Sequence, residues 1–271
     1  MGSTRIIPAA PLSTLVESIW DWDCAPSTHR FERILPVPAA ALIINLQEDE
    51  TRVYADAEGR MCTRSPGSIF SGPYTRSFVI DTAEQVRVMG VVFRPGGAAC
   101  LFRERMDPLR NRDIGLEDLA GRSARRLRQR LLETAQPRRR LLLLEQWLRT
   151  RAADAKPHPA VASALDALRH VGQVERIAAL VAASGFSHRR FGAIFLEQVG
   201  MSAKRYLRQR RFHAVVAAVH RQRRVDWAAI AADCGYCDQP HLVREFSAFA
   251  GMTPSAYMAR QGLYANHIPL D

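Results

Sequence analysis

The second half of the chain repeats itself at a spacing of about 50 residues, and this repeat limits the folds open to the sequence. The first copy consists of LVAASGFS at 180–187 and GMS at 200–202. The second consists of IAADCGYCD at 230–238 and GMT at 251–253. The offset grows from 50 to 51 residues after the turn glycine, so the second turn is one residue longer. Two copies of one short supersecondary unit are therefore predicted.

Each copy has the residues of a helix, a tight turn and a second helix. Gly185 and Gly235 end the first helices, because glycine adopts left-handed backbone most easily. Ser187 and Asp238 follow where a side-chain oxygen can accept from the first N–H groups of the next helix. Pro240 suits the first turn of that helix. The apolar residues that face the partner helix are spaced four apart: Phe191 with Phe195, and Leu242 with Phe246.

One long helix from 202 to 222 is predicted to join the two copies. Its apolar side carries Tyr206, Leu207, Phe212, Val215, Val216 and Val219. Its other side carries Lys204, Arg205, Arg208, Arg210 and Arg211. Two helix-turn-helix units on one connecting helix would insert their second helices into successive major grooves if the separation matches one duplex turn, about 34 Å.

The charge of the chain agrees with an anionic partner. Lys and Arg number 38 against 27 Asp and Glu, a formal net charge of +11, and the sequence pI is near 10.2. Nearly all of this positive charge is arginine, which suits bidentate contact with phosphate and guanine. A pI this high is typical of nucleic-acid binders, and an arginine-rich surface that only faces solvent is the alternative.

The first half, up to about residue 95, contains short β-type runs separated by turn residues. The runs are 41–46, 52–55, 68–70, 78–81 and 86–93, and RPGG at 94–97 stops the last of them. Residues 116–134 and 138–152 then have apolar residues at helical spacing. The predicted fold is an α+β domain, with a small β-barrel or sandwich plus helices, followed by an all-α domain. DAKPHP at 154–159 is the predicted linker, because its prolines favour extended backbone.

Two stretches of the second half, GYCDQPHLVREF at 235–246 and FAGMTPSAY at 249–257, closely resemble the C-terminal signature of the AraC/XylS family of bacterial transcription regulators. Residues 185–200 resemble the first unit of that family, and the resemblance covers about 161–260. The first half is similar, more loosely, to a cupin-like sensor domain of some members. The segments that carry this are 33–36, 42–46, 71–73 and 92–97.

The resemblance implies a cytoplasmic, sequence-specific transcription regulator that binds double-stranded DNA and is not an enzyme. Residues 1–152 would be a regulatory or dimerisation domain, 153–159 a linker, 160–262 the DNA-binding domain and 263–271 a tail. A small-molecule effector, a second copy of the chain and RNA polymerase are the further partners it implies. No catalytic residue, cofactor, metal or membrane contact is expected, and five cysteines without disulfide spacing fit a reducing cytoplasm.

Outward positions early in each second helix are the expected DNA contacts. The base-contacting residues would be Arg189, Gln239, His241 and Arg244, since Gln suits adenine and Arg suits guanine. The phosphate-contacting residues would be His188, Arg190, Lys204, Arg205 and Arg208. Gly192 and Ala193 have no side-chain donors, so the first unit is expected to bind mainly phosphate. A solvated helix face is the alternative for each arginine.

Two other functions stay open. A metal-dependent cupin-like enzyme with an accessory DNA-binding domain would need a histidine-rich site, but only His29 and His158 precede residue 159. A thiol redox switch would use Cys234 and Cys237, a C-x-x-C pair that needs an exposed thiolate of low pKa.

The role of the first half rests on less specific features. Residues 116–152 are a candidate dimer surface, with packing inside the domain as an equal alternative. Acidic residues Asp21, Asp23 and Glu32 would contact a cationic ligand or lie on a charged surface. The residues of an effector pocket, or equally of the core, are Trp20, Trp22, Leu42, Ile44, Phe78 and Phe93.

Overall fold

The computed structural model describes residues 2–25, 27–55, 61–153, 155–169 and 177–270. The strands are β1 (Gly2–Ile6), β2 (Val16–Asp23), β3 (Phe31–Ile34), β4 (Ala41–Asn45), β5 (Glu50–Tyr54), β6 (Cys62–Pro66), β7 (Ser68–Ser71), β8 (Phe78–Asp81), β9 (Arg87–Phe93), β10 (Asp113–Gly115) and β11 (His267–Pro269). The helices are α1 (Gly97–Phe102), α2 (Leu116–Ala120), α3 (Arg122–Leu132), α4 (Pro137–Ala152), α5 (Pro159–Ala167), α6 (Ile177–Ser184), α7 (His188–Val199), α8 (Ala203–Val219), α9 (Trp227–Asp233), α10 (Gln239–Ala250) and α11 (Pro254–Arg260).

The order of these elements confirms the predicted fold class, a sheet-rich α+β domain followed by a helical domain. The strands form two antiparallel sheets, with strand orders β1-β2-β9-β4-β7-β10 and β11-β3-β8-β5-β6. The sequence predicted either a small β-barrel or a sandwich. No closed barrel forms among the described residues.

Local signals explain where several elements end. Strand β9 is rich in valine, which favours a pleated backbone, and it stops before Pro95 and the left-handed Gly96 (φ +79°). The single helix expected over 116–134 is two helices, because Gly121 adopts φ +59° and ψ −149° between α2 and α3. Asp154 of the predicted linker and residues 170–176 of the predicted DNA-binding domain lie outside the described residues.

Residues 263–271, expected as a tail, contribute a strand to the N-terminal domain. Strand β11 pairs with β3 in antiparallel register, with Ile268 opposite Arg33. Ile268 and Leu35 are both fully buried, in the same cluster as Phe212 and Phe246 of the helical domain. The C-terminal end of the chain and the second sheet therefore share one hydrophobic core with the second repeat unit.

The first sheet has its own core against helices α3 and α4. Leu127 and Leu144 from these helices pack in one cluster with Phe70 and other residues of the sheet. Leu42, Ile44 and Phe93, expected as core or pocket residues, are fully buried in this cluster. Trp20 and Trp22 are half-buried, and the ring of Trp22 meets that of Tyr264 edge-on at 5.6 Å between centroids.

A buried ion pair joins helix α4 to strand β2. The side chains of Arg140 and Asp21 are 1% and 0% exposed, and Arg140 Nε and Nη2 donate to the two Asp21 oxygens at 2.7 and 2.8 Å. Nη1 donates to the carbonyls of Thr134 and Ala135. The hydrogen bond to Asp21 raises the pKa of Arg140. Asp21, considered as a contact for a cationic ligand, thus already has a cation of this chain as its partner.

Removing one partner of this pair should cost much of the stability of the fold. Asp21→Ala leaves the Arg140 charge buried without a counter-ion, so we expect the free energy of unfolding to fall by about 3–5 kcal/mol in urea titrations. The matched control is Arg5→Ala, which removes an exposed ion pair with Glu17 on the neighbouring strand and should change little. Equal effects of the two substitutions would contradict the prediction.

Candidate nucleic-acid interface

The two repeat units fold as predicted at their turns. Gly185 follows α6 with φ +71°, and Gly235 follows α9 with φ +77°. The Ser187 hydroxyl accepts from Arg190 N–H at 3.3 Å, and the Asp238 carboxylate accepts from His241 N–H at 2.6 Å. Left-handed glycines and N-caps therefore fix where α7 and α10 begin. These two helices are called the recognition helices below.

The recognition helices bury one face and expose the residues expected to contact DNA. Phe191, Phe195, Leu242 and Phe246 are buried, as their four-residue spacing predicts. The exposed residues of the first turns are His188, Arg189, Arg190, Gln239 and, one turn further along α10, Arg244. His241 is half-buried, and its ring meets the ring of Tyr236 edge-on at 5.3 Å. Gly192 and Ala193 are exposed and offer no donor.

Helix α8 connects the units and has the predicted apolar face. The residues of that face, Tyr206, Leu207, Phe212, Val215, Val216 and Val219, are all buried. Lys204 and Arg205 are exposed in its first turn. Across the described residues, the side chains of Arg189, Arg190, Lys204, Arg205 and Arg244 form no hydrogen bond or ion pair. These exposed cations therefore stand without a counter-ion in the part of the chain that the structure describes.

Arg208 has a partner that the sequence did not reveal. Its Nε and Nη2 each lie 2.7 Å from an oxygen of Glu245, so an ion pair joins α8 to α10. The hydrogen bond from Arg208 lowers the pKa of Glu245. A bidentate pair has a defined geometry, so this contact orients α10 relative to α8.

The N-terminal domain contacts the last turns of both recognition helices. Arg33 Nη1 donates to the carbonyls of Ala250 and Gly251 at 3.2 and 3.3 Å, at the end of α10. At the end of α7, Met106 N–H donates to the Glu197 carbonyl at 2.8 Å. These acceptors belong to helix ends, whose last carbonyls have no partner inside the helix. Burial, followed by the nearby Arg260, lowers the pKa of Arg33.

The middle of α8 also binds the N-terminal domain. Gln209 is fully buried, and its Nε2 donates to the carbonyls of Pro36 and Tyr74 at 2.7 and 2.8 Å. His213 Nε2 lies 2.7 Å from the same Pro36 oxygen. The sequence contained one signal for this contact, because Gln209 interrupts the apolar face between Tyr206 and Phe212. No feature of the sequence predicted the contact of Arg33 with the end of α10 or that of Glu245 with Arg208.

The surroundings of His213 predict a dependence of stability on pH. Burial lowers the pKa of His213 to about 4, so at pH 7 the ring is neutral and donates Nε2–H to Pro36. In the unfolded chain the pKa is about 6.5. Between these values the unfolded chain binds a proton that the folded chain does not, so stability falls as pH decreases from about 6.5 to 4.

We therefore expect His213→Gln to lose less unfolding free energy than the wild type between pH 7 and pH 4.5 in urea titrations. Glutamine can still donate to Pro36 but does not titrate. His188→Gln, at an exposed position, is the control and should keep the full decrease. Identical pH profiles for all three proteins would rule out His213 as the cause.

Neither the thiol redox switch nor the metal site finds support in the described residues. Burial raises the pKa of Cys234 to about 11, whereas a redox pair requires a thiolate of low pKa. No group of three or more His, Cys, Asp or Glu side chains that could hold a metal ion occurs in the described ranges.

The acidic residues considered as contacts for a cationic ligand have partners within the chain. Glu32 lies 2.6 Å from both His29 and His267, and Asp23 is 3.7 Å from Arg87. Burial would raise the pKa of Glu32, but hydrogen bonds from His267 and His29 lower it.

Two helix-turn-helix units on a shared helix, with exposed arginines in the first two turns of their second helices, define a DNA-binding protein. Residues 180–260 match a family model described as a helix-turn-helix domain, and residues 4–115 match a domain of unknown function, DUF6597. Residues 180–260 therefore form an AraC-type helix-turn-helix domain, and this domain supports a DNA-binding regulator. No curated protein matches the sequence significantly.

Three solved structures illustrate what this chain is similar to. The DNA-binding domain of AdpA, in complex with a target DNA, is 22% identical, covers 38% of this chain and 92% of its own, and has a TM-score of 0.35. An AraC-type regulator from Chromobacterium violaceum is 18% identical, with coverages of 38% and 96% and a TM-score of 0.34. ToxT from Vibrio cholerae is 8% identical, with coverages of 96% and 98% and a TM-score of 0.45. In the part of this chain that the structure describes, no helix has the length and apolar character of a membrane span.

Proposed function

We propose that this chain is a sequence-specific regulator in the bacterial cytoplasm that inserts α7 and α10 into successive major grooves of DNA. The observation that carries the proposal is the matching geometry of the two units on α8. In both, a capped recognition helix exposes residues of its first two turns. The exposed arginines, Arg189 and Arg190 in the first turn of α7 and Arg244 in the second turn of α10, have no hydrogen-bond or ion-pair partner for their side chains among the described residues. Net charge of +11 supports the approach to a polyanion.

Within this interface we assign base contacts to Arg189, Gln239, His241 and Arg244 and phosphate contacts to His188, Arg190, Lys204 and Arg205. Lys204 and Arg205 stand in the first turn of α8, where the helix dipole also favours an anion. Arg208 was expected to contact phosphate. Because Glu245 already binds it, we assign it to holding α10 against α8.

Arg244 and Arg205 should separate base reading from phosphate binding. A cognate duplex is first selected from a random pool by the full-length wild type. Arg244→Ala should weaken binding to this duplex by about 1–3 kcal/mol and relax the preference at one base pair. Arg205→Ala should weaken selected and random DNA alike and reduce the salt slope of the binding constant by about 1.

Titration of both variants on both duplexes, at several salt concentrations, gives the readout. Loss of affinity by Arg244→Ala that is equal on selected and random DNA would contradict base reading. A wild type that selects no sequence would contradict the proposed function as a whole.

For the N-terminal domain we propose dimerisation through the outer face of α3 and α4. Leu132 of α3 and Leu142 of α4 are 45% and 61% exposed, and Arg138 and Arg139 of α4 are exposed as well. Association with a second copy would remove these apolar side chains from water. Control by an effector has less support, because Leu42, Ile44 and Phe93 of the candidate pocket fill the core. We also propose that the regulator contacts RNA polymerase when it is bound to DNA.

Sedimentation equilibrium tests the dimer. The wild type should associate at micromolar concentration, and Leu142→Glu should remain monomeric because it buries a charge at the interface. Met61→Glu, at an equally exposed apolar residue elsewhere, is the control and should associate like the wild type. A wild type that is monomeric at all concentrations would refute this assignment.

A further inference from the structure

The end of the second recognition helix is held by an arginine of the N-terminal domain. Arg33, on strand β3, donates to the last carbonyls of α10 at Ala250 and Gly251. A cation at this end of a helix is favoured both by the unpaired carbonyls and by the helix dipole. The contact is close, because a Cβ atom added to Gly251 would lie 3.0 Å from Arg33 Nη1.

The end of the first recognition helix is held by a different segment of the same domain. Met106 N–H donates to the Glu197 carbonyl, and Arg110 Nη1 lies 3.4 Å from the Gly200 carbonyl. Gly200 has φ +81°, and a Cβ atom there would come within 2.5 Å of Pro73 Cγ. No larger residue fits between α7 and the N-terminal domain without displacing one of them.

The helix that joins the two units is held at its centre. Gln209 binds two carbonyls of the N-terminal domain, and His213 shares one of them. Leu35 of the N-terminal domain is fully buried in the same cluster as Phe212 of α8. Buried amide hydrogen bonds of this kind have a defined direction, so they fix position as well as contributing stability.

All of these contacts leave the DNA-facing residues accessible. They involve the last turns of α7 and α10 and the middle of α8. The residues assigned to DNA lie in the first turns of α7 and α8 and in the first two turns of α10, and they are exposed, with His241 half-buried. The docked N-terminal domain therefore does not cover the interface. It contacts each recognition helix from the far end and the connecting helix in between.

We propose that the N-terminal domain sets the distance and angle between the two recognition helices, and so determines which half-site spacing the regulator accepts. Arg33 is the positioning residue for α10, the 105–110 segment positions α7, and Gln209 anchors α8. This inference rests on the proposed function, since it concerns how the same interface is held. A change in the second sheet that moves β3 would then alter spacing preference.

The test measures spacing preference with full-length protein. The duplex selected by the wild type is remade with one base pair removed, and with one or two added, between the half-sites. The wild type should bind the original spacing best. Arg33→Met, which loses its donors but keeps most of its volume, should reduce the ratio between original and altered spacings by roughly tenfold, as expected for loss of a charged hydrogen bond.

Two further positioning variants and one control ensure that the test does not depend on a single variant that fails to fold. Gln209→Met should flatten the spacing profile in the same way, and Arg110→Met should do so from the α7 side. Arg5→Met makes the same change at an exposed arginine of β1 and should leave the profile of the wild type unchanged. Circular dichroism and thermal melts identify the variants that remain folded, and these are compared.

The outcomes separate this inference from the proposed function. If the wild type selects a duplex and the folded variants discriminate spacings as sharply as Arg5→Met, the positioning role is wrong while DNA reading stands. If the variants bind the original duplex more tightly than the wild type, the N-terminal domain restrains binding instead, and the inference is overturned. If the wild type selects no duplex, the proposed function fails and this inference fails with it.

Discussion

Helix α8 is shared by two hydrophobic cores, and the direction of every side chain assigned to DNA contact depends on that packing. Its first turns, with Tyr206 and Leu207, pack with Phe195 in the core of the first unit. Its later turns, with Phe212, pack with Phe246 in the core of the second. Because one continuous helix belongs to both cores, neither unit can rotate about it without opening a cavity in closely packed surroundings.

Polar contacts add direction to this packing. The Arg208–Glu245 pair joins α8 to α10, and Gln209 joins α8 to the N-terminal domain. Hydrophobic burial supplies most of the free energy but has little directional preference, whereas a bidentate pair and a buried amide each accept one geometry. The position of the recognition helices follows from both, with apolar side chains holding the helices together and polar ones defining their angles.

Local features of the fold and the site could be predicted from the sequence. Gly185 was correctly predicted to form a turn and Asp238 to cap α10, since turns and caps depend on residues a few positions apart. Strand β2 was missed because its sequence VESIWDWD contains charges that look solvent-exposed. Asp21 is buried there only because Arg140, 119 residues later, binds it. Strand β11 was also missed because its partner is distant in sequence: it pairs with β3, which lies in the first part of the chain.

The sequence by itself determined the duplicated units, the apolar face of α8 and the residue types at the starts of the recognition helices. Helical periodicity, capping and left-handed turns are short-range effects, so neighbouring residues are sufficient to specify them. Only the tertiary structure decided that Arg208 is bound by Glu245, that Arg33 binds the end of α10 and that the C-terminal strand completes the second sheet. Such pairings depend on which distant segments are brought together when the cores pack, and no local pattern records that.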